Sequence, residues 1–183
     1  MGPRERYREQ VRDEVKQHAW EQIATAGVPA LSLNAIAKQM GMSGPALYRY
    51  FANRDELITA LIRDAYQSLV DAVSASETDV LGLAGVIREW ALADPQRYLL
   101  IYGTPVPGYH APADTTAISD QVMQTVVATA GGSASAVHRG LLFWTRLHGV
   151  LSLELAGHFA GMDVDPAALV TEEIGALADR TGQ

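Results

Sequence analysis

Apolar residues recur every three or four positions along almost the whole chain, and this spacing constrains the fold more than any other feature of the sequence. The first stripe, which stops before Gly27, consists of Tyr7, Val11, Val15, Ala19, Ile23 and Ala26. A repeat near 3.6 residues places such positions on one face of an α-helix, whereas a half-buried strand would need strict alternation. No strand pattern, internal repeat or low-complexity tract interrupts it, so the 183 residues predict an all-α protein.

Residues that start and stop helices divide this pattern into about nine helices. Ser32 and Ser43 are N-cap candidates for two short helices, at about 33–40 and 43–51, and Gly41 supplies the left-handed turn between them. The later helices are predicted at about 53–74, 80–93, 95–102, 115–130, 134–160 and 166–180. The range 103–114 is rich in proline and glycine and is predicted to be a loop.

The composition excludes several classes of function. The chain has no cysteine, which rules out disulfides, zinc fingers, iron–sulfur clusters and a cysteine nucleophile. His138, His148 and His158 are ten residues apart, which separates them around a helix, so no metal and no other cofactor is predicted. No apolar run reaches the length of a membrane span and no secretory leader begins the sequence, so we expect a cytoplasmic protein without a membrane partner.

The charges are distributed unevenly along the chain. The formal net charge is −7, yet residues 1–54 carry eight Lys or Arg against five acids, whereas the remainder carries six against sixteen. A basic end on an acidic body is expected when only that end meets a polyanion such as DNA. A solvated helix face would give the same count, so the charge by itself leaves both interpretations open.

The two short helices have the spacing of a helix-turn-helix, although an ordinary corner between two helices has it too. Ala37 allows close approach, Gly41 makes the turn and Leu47 packs the second helix on the first. The outer face of the second helix favours DNA, because its residues are small or form hydrogen bonds and so fit a major groove. These residues are Ser43, Gly44, Pro45, Ala46, Tyr48 and Arg49. The flanking cations that could meet phosphates are Arg4, Arg6, Arg8, Lys38 and Arg54.

The segment 31–57, LSLNAIAKQMGMSGPALYRYFANRDEL, resembles the DNA-binding part of TetR-family transcriptional regulators, and the likeness extends over residues 7–62. Met42 stands where valine is usual in that family, and Arg54 stands where lysine is usual. The resemblance implies an N-terminal helix-turn-helix domain at 1–53, a larger helical regulatory domain at 54–183, and a homodimer.

The same resemblance implies roles for single residues on and beside the second helix. The range 43–46 becomes the groove-facing start of the recognition helix, Arg49 a base-edge or phosphate contact, and Arg54 a phosphate clamp, while Leu47 and Phe51 are core. The other residues implied to contact bases, phosphates or the DNA backbone are Ser32, Asn34, Tyr48 and Tyr50. For each tyrosine, a partly buried packing role is the alternative.

A second block, 143–157 with the sequence FWTRLHGVLSLELAG, resembles TetR-like proteins whose C-terminal domain carries a Trp-x-x-x-His-Gly signature. We expect an apolar effector pocket bounded by the fifth to eighth helices and closed by the 103–114 loop. Its predicted lining is Trp90, Tyr98, Tyr102, Phe143, Trp144 and His148. Alternatively these rings fill the core and the histidine is structural. The eighth and ninth helices are predicted to pair with their copies in the dimer.

Together these features predict a ligand-responsive transcriptional regulator, a repressor that binds a palindromic double-stranded DNA operator as a dimer and is released by a small hydrophobic effector. An enzyme would need an acid–base or nucleophile arrangement. An acid–histidine pair at helical spacing in the body, Glu154 and His158, is explained as a surface ion pair. The remaining alternative is a helical small-molecule-binding or dimerisation module without operator-specific DNA binding.

Overall fold

The computed structural model describes residues 2–76, 79–131 and 134–179, and these contain nine α-helices, a short 3-10 helix (Val28–Ala30) and no strand. In chain order the α-helices are α1 (Pro3–Ala26), α2 (Leu33–Gln39), α3 (Gly44–Leu47), α4 (Arg54–Ser74), α5 (Val80–Ala93), α6 (Pro95–Tyr102), α7 (Ala113–Thr129), α8 (Ala134–Leu155) and α9 (Pro166–Asp179). The all-α prediction is confirmed. The predicted break at 132–133 and the predicted helix end at Arg180 lie outside the described residues.

Side-chain caps begin three of these helices at the positions that the sequence predicts. The Ser32 hydroxyl accepts a hydrogen bond from the Ala35 N–H at 3.3 Å, and the Ser43 hydroxyl accepts one from the Ala46 N–H at 3.3 Å. Asp94 caps α6 through the N–H three residues later. Each cap satisfies one of the N–H groups that a helix leaves unpaired at its start.

Three helix boundaries differ from the apolar pattern. α1 begins at Pro3, and Tyr7 is 63% exposed, so the buried stripe of α1 starts only at Val11. Regular helix in α3 ends at Leu47, and residues 48–50 continue as turns. α8 ends at Leu155, five residues before the predicted end, because a glycine with a left-handed φ of 75° follows at position 157 and closes the last turn.

The early end of α8 removes the predicted pair between Glu154 and His158. The N–H of His158 turns back to the carbonyl of Leu153 at 2.9 Å, so its side chain leaves the helix face that carries Glu154. The Glu154 carboxylate is held by Arg88 of α5, with nitrogen–oxygen distances of 2.5 and 3.0 Å. The prediction of a surface ion pair at this position is therefore wrong, and the acid ties α8 to α5 instead.

The buried side chains form two clusters, and we call residues 2–53 the head and the described residues of 54–179 the body. The head core joins α1, α2 and α3 to the first half of α4 through fully buried side chains such as Leu47, Phe51, Leu57 and Leu61. The body core joins the second half of α4 to α5–α9. α4 contributes to both cores and so connects the body to the head. The domain boundary between residues 53 and 54 stays a prediction.

The body also contacts the head through α6 and the loop that follows it. Leu100 of α6 is buried in the head core, and Val106 and Tyr109 of the loop pack against the same core. The Tyr109 hydroxyl shares a hydrogen bond of 2.9 Å with the Thr59 hydroxyl of α4. The sequence predicts that the loop closes over α5–α7, whereas in the structure Val106 and Tyr109 of the loop pack against the head core and α4. No helix in the described part of the chain is long and apolar enough to span a bilayer.

Candidate functional site

The turn between α2 and α3 is fixed by main-chain hydrogen bonds that need a left-handed residue. Gly41 has φ of 66°, a conformation that residues with a Cβ adopt reluctantly. The N–H of Met42 donates to the Ala37 carbonyl at 2.8 Å, and the N–H of Gly41 donates to the Lys38 carbonyl at 3.2 Å. These bonds end α2 and turn the chain directly into α3, as a helix-turn-helix requires.

α3 is held against the head by its inner face. Leu47 and Phe51 are fully buried, as predicted. At the start of α3, a Cβ added to Gly44 would stand 3.4 Å from the Asn34 Oδ1 atom, so α2 and α3 approach closely there. The outer residues of α3 are thereby fixed relative to α2, which makes the exposed surface of both helices one rigid unit.

The structure places most of the predicted DNA-contacting residues at the surface of the head. Those that are exposed are Arg4, Arg6, Arg8, Asn34, Lys38, Ser43, Pro45, Tyr48 and Arg49. Those that are half-buried are Ser32, Gly44, Ala46, Tyr50 and Arg54. Tyr48 is 43% exposed, so its side chain is accessible from solvent, whereas Tyr50 is partly packed on the head core. Their roles in DNA binding stay predictions.

Two arginines one turn apart on α1 hold the end of the recognition segment. Arg8 donates to the Arg49 carbonyl at 3.3 Å, and Arg12 donates to the Tyr50 carbonyl. The Arg12 guanidinium also lies 4.1 Å from the centre of the Phe51 ring. Arg12 is absent from the residues predicted to contact DNA, although its position four residues after Arg8 on the same helix is a signal that could have identified it. We assign Arg12 a positioning role for the residues that follow α3.

Arg54 contacts the protein itself in this structure. Its guanidinium donates to the carbonyls of Val28 and Leu31, at 2.7 and 3.2 Å, in the connection between α1 and α2. These two bonds use two of its five N–H groups, and the side chain is half-buried. Arg54 therefore joins the start of α4 to the start of the helix-turn-helix, and its predicted role as a phosphate clamp is untested.

Four of the six predicted effector-binding side chains form one aromatic cluster in the body. Trp144 and His148, four residues apart on α8, have ring centres 4.3 Å apart, and Tyr102 of α6 contacts both, at 5.5 and 4.5 Å. Tyr98 of α6 stacks on His148 at 5.5 Å. Tyr66 of α4, which the sequence analysis missed, meets the Tyr102 ring at 6.0 Å. The aromatic cluster therefore joins α4, α6 and α8.

The other two predicted side chains lie outside the aromatic cluster. Trp90 donates its indole N–H to the Ser68 hydroxyl of α4 at 2.7 Å. Phe143 is almost fully buried and lines a cavity between α5, α7, α8 and α9. A separate cleft of about 320 Å³ lies between α4, α6, the loop and the start of α7, and Tyr66 and Tyr109 line it. This cleft reaches the aromatic cluster through Tyr66.

His148 is neutral inside the aromatic cluster. Its Nδ1 atom shares a hydrogen bond of 2.9 Å with the Tyr98 hydroxyl, and its Nε2 atom is buried with no hydrogen-bond partner among the described residues. Burial lowers the pKa of His148 from 6.5 to about 4 and raises the pKa of Tyr98 to about 12, because the charged forms lose their solvation. An unpaired buried nitrogen is unfavourable by about 1–3 kcal/mol, so a ligand that pairs with it gains that amount.

The buried neutral state of His148 makes stability depend on pH. Its pKa of about 4 in the folded protein lies below the ordinary 6.5, so the unfolded chain binds more protons between these values and stability falls as the pH falls from about 6.5 to about 4. We expect about 3 kcal/mol of unfolding free energy to be lost over this window. Chemical denaturation at each pH measures it.

The matched variants for this measurement are His148→Gln and His158→Gln. His148→Gln removes the titrating group. Between pH 6.5 and pH 4, its free energy of unfolding should therefore fall by about 3 kcal/mol less than that of the wild type. His158 is exposed, so His158→Gln should keep the wild-type slope. An unchanged slope in His148→Gln would contradict the buried neutral histidine.

A tight two-helix turn with an exposed, hydrogen-bonding second helix, a basic first helix and a separate helical body together define a class of protein, the helix-turn-helix DNA-binding regulators. Residues 17–61 match the model of "Bacterial regulatory proteins, tetR family", and residues 80–177 match "Tetracyclin repressor-like, C-terminal domain". The chain belongs to the TetR family of transcriptional regulators. Members of this family bind DNA and small-molecule effectors, typically as dimers, and are not enzymes.

Individual relatives agree with this assignment. The chain is 57% identical to the regulatory protein SCO4313, whose crystal structure superposes with a TM-score of 0.92 and covers 97% of this chain and 100% of that one. It is 42% identical over 126 residues to the HTH-type transcriptional regulator Rv1816 of Mycobacterium tuberculosis, covering 64% of this chain and 54% of that protein. The chain thus spans about half the length of the first curated relatives that it matches.

A more distant likeness concerns the fold alone. A TetR variant of Acinetobacter baumannii in complex with minocycline is 17% identical, with a TM-score of 0.58 and coverage of 92% of this chain and 94% of that one. The Trp-x-x-x-His-Gly subset of the family is tested by none of these comparisons and stays a prediction.

Proposed function

We propose that this protein is a ligand-responsive repressor that binds a palindromic operator as a homodimer and leaves it when a small hydrophobic effector binds. The observation that carries the proposal is the aromatic cluster, because it joins α8 to α4 and α6, and both α4 and α6 reach into the head core. A ligand that changes the packing of these rings therefore acts on the two helices that position the head. Such a regulator meets its DNA in the cytoplasm, and we include that location in the proposal.

In the proposed complex, α3 enters the major groove with its exposed face towards the bases. Ser43 and Arg49 are assigned the main contacts to base edges, because Pro45 and Ala46 have no side-chain hydrogen-bonding group, and the exposed Tyr48 hydroxyl is assigned to a base or a phosphate. The exposed cations of α1 and Lys38 of α2 lie on the same head and are assigned to phosphates. This arrangement supports recognition of the DNA sequence through few base contacts. The affinity for DNA would then come mainly from the contacts between cations and phosphates.

The proposed dimer interface is the outer face of α8 together with α9. Steps of four residues along α8 give an exposed stripe whose apolar members Val137, Leu141 and Leu153 are 53%, 49% and 45% exposed. A Cβ added to Gly149, on the same stripe, would meet nothing within 4 Å, so a second helix has room to approach the α8 backbone there. An exposed apolar stripe on a helix is unfavourable in a monomer and is stabilised by pairing with its copy.

Effector release follows from the spacing of the two heads. Recognition helices fit successive major grooves when they are about 34–36 Å apart. An effector needs only a higher affinity for a dimer with another head spacing in order to lower the affinity for DNA. The cleft beside Tyr66 has both apolar and hydroxyl side chains in its lining, and together with the unpaired His148 Nε2 atom it supports an effector that combines an apolar part with hydrogen-bonding groups.

Selection of bound duplexes from a random DNA library tests the proposal. We expect an inverted repeat whose half-sites are centred about 10 base pairs, or a multiple of that distance, apart, because the two recognition helices of a symmetric dimer meet the same groove face. The selection is repeated with apolar candidate ligands, one of which should reduce recovery of the repeat. Enrichment of a single half-site, or no enrichment at all, would contradict the palindromic dimer.

A further inference from the structure

A cavity of about 210 Å³ lies in the body at the end of α7, away from the aromatic cluster and not used by the proposed function. Its walls come from four helices and are mostly apolar, with Val80 and Leu83 of α5, Val126 of α7, Phe143 of α8 and Leu177 of α9, and they include the polar Thr129 of α7. An engineered apolar cavity of about 150 Å³ holds benzene, so by volume this cavity has room for about eight carbon atoms. The cavity therefore fits a short apolar chain.

One charged side chain, Arg139 of α8, lines this apolar cavity. Its Nε and Nη2 atoms both donate to the Ala130 carbonyl, at 3.1 and 2.5 Å, and its Nη1 atom donates to the Ser135 hydroxyl at 2.8 Å. Gly131 has φ of 103°, and a Cβ there would stand 3.2 Å from the Nη2 atom, so the bare glycine backbone allows this close approach. The guanidinium is thus fixed in place by the end of α7.

The fixed guanidinium keeps hydrogen-bonding capacity. Three of its five N–H groups are used, which leaves one on each terminal nitrogen without an acceptor in the part of the chain that the structure describes. The other described arginines of the body beyond α4 each pair with a carboxylate: Arg88 with Glu154, Arg97 with Asp94 and Arg146 with Glu173. Among the described residues, Arg139 is therefore the one arginine of α5–α9 whose charge no carboxylate neutralises.

We propose that this cavity binds a small amphipathic carboxylate, with an unbranched tail of about eight carbons in the apolar part and its carboxylate on the two remaining N–H groups of Arg139. One remaining N–H on each terminal nitrogen lets the guanidinium donate to both oxygens of a carboxylate, as in bidentate pairing. The site joins α5, α7, α8 and α9, so an occupant stabilises the body whether or not it affects DNA binding. None of the residues that line this cavity belongs to the aromatic cluster or to the cleft beside Tyr66, so the site is separate from the proposed effector site.

Calorimetric titration of the full chain with octanoate, below the concentration at which octanoate forms micelles, tests the proposal. We expect saturable binding of one octanoate per chain and a rise in thermal midpoint with octanoate concentration. Octan-1-ol has the same number of carbons without the charge and should bind at least tenfold more weakly, a difference of about 1.4 kcal/mol. Absence of octanoate binding, including the case in which a carboxylate of the chain itself occupies the site, would overturn the proposal.

Variants of Arg139 complete a double comparison of residue and ligand. Arg139→Gln should weaken octanoate binding at least tenfold and leave octan-1-ol binding unchanged, and the retained octanol affinity shows that the cavity is still folded. Arg146→Gln, which removes the same charge from the same helix away from the cavity, should bind octanoate as the wild type does. Equal octanoate affinity in Arg139→Gln and the wild type would assign the binding to the apolar walls alone and refute the carboxylate site.

Discussion

Raising the salt concentration from about 50 mM to about 200 mM is expected to weaken operator binding by about four orders of magnitude. Four exposed cations on each head are assigned to phosphates, and they are Arg4, Arg6, Arg8 and Lys38. Each phosphate contact releases condensed counterions, so eight contacts in the dimer predict a slope near −7 of log affinity against log salt. Fluorescence anisotropy with the selected duplex at several salt concentrations measures this slope. A slope near zero would mean that these cations are only a solvated helix face.

The matched comparison for this slope changes charge without changing the fold. The double variant Arg4→Gln and Arg6→Gln leaves Arg8 on the Arg49 carbonyl and should make the slope shallower by up to about 4, because it removes two contacts per head. Arg146→Gln lowers the charge of the body and should leave the slope as in the wild type. Equal slopes in the double variant and Arg146→Gln would contradict the assignment of the basic end of α1 to phosphates.

Phe51→Ala is expected to lower the free energy of unfolding by about 3–5 kcal/mol and to abolish operator binding. Phe51 is fully buried in the head core, and the Arg12 guanidinium lies against its ring, so the truncation leaves a cavity next to a charged group. That loss is a large part of the 5–15 kcal/mol that stabilises a typical domain. Denaturant unfolding and anisotropy on the same samples measure both effects. A stable Phe51→Ala that still binds DNA would contradict the role of this core in holding α3.

Tyr48→Ala and Arg49→Ala are the surface counterparts of this variant. Both side chains are exposed on the same segment, so we expect wild-type unfolding free energies together with a loss of about 1–3 kcal/mol in operator binding for each. The contrast separates the inner face of the segment, which holds the fold, from the outer face, which contacts DNA. Unchanged affinity in both surface variants would remove the assignment of the recognition helix.

The helix-turn-helix could be predicted closely because its determinants are local. The turn needs a left-handed residue, which Gly41 supplies, and the caps need short hydroxyl side chains, which Ser32 and Ser43 supply. Leu47 lies on the inner face for reasons of helical spacing alone. The exposed face of the recognition helix followed from the same spacing, so most candidate DNA contacts could be named from the sequence.

The candidate sites of the body were predicted only in part, because they depend on contacts between distant segments. Trp144 and His148 are four residues apart on one helix, so their contact could be predicted, whereas the addition of Tyr66 depends on how α4 crosses α6. The composition of the segment after α6 predicts a loop but does not predict where the loop lies. It lies against the head because Val106 and Tyr109 pack on the head core.

The sequence by itself determined the helices, the turn of the helix-turn-helix and the family to which the chain belongs. The reason is that caps, glycine turns and apolar spacing act within a few residues. Tertiary structure alone decided which charged side chains are already paired within the protein and which can still bind a ligand. Arg54 is engaged with main-chain carbonyls, Glu154 is paired across to Arg88, and Arg139 keeps two N–H groups beside an apolar cavity. The physical reason is that the partners of these side chains come from segments far apart in the chain, so only the packed helices bring them within hydrogen-bonding distance.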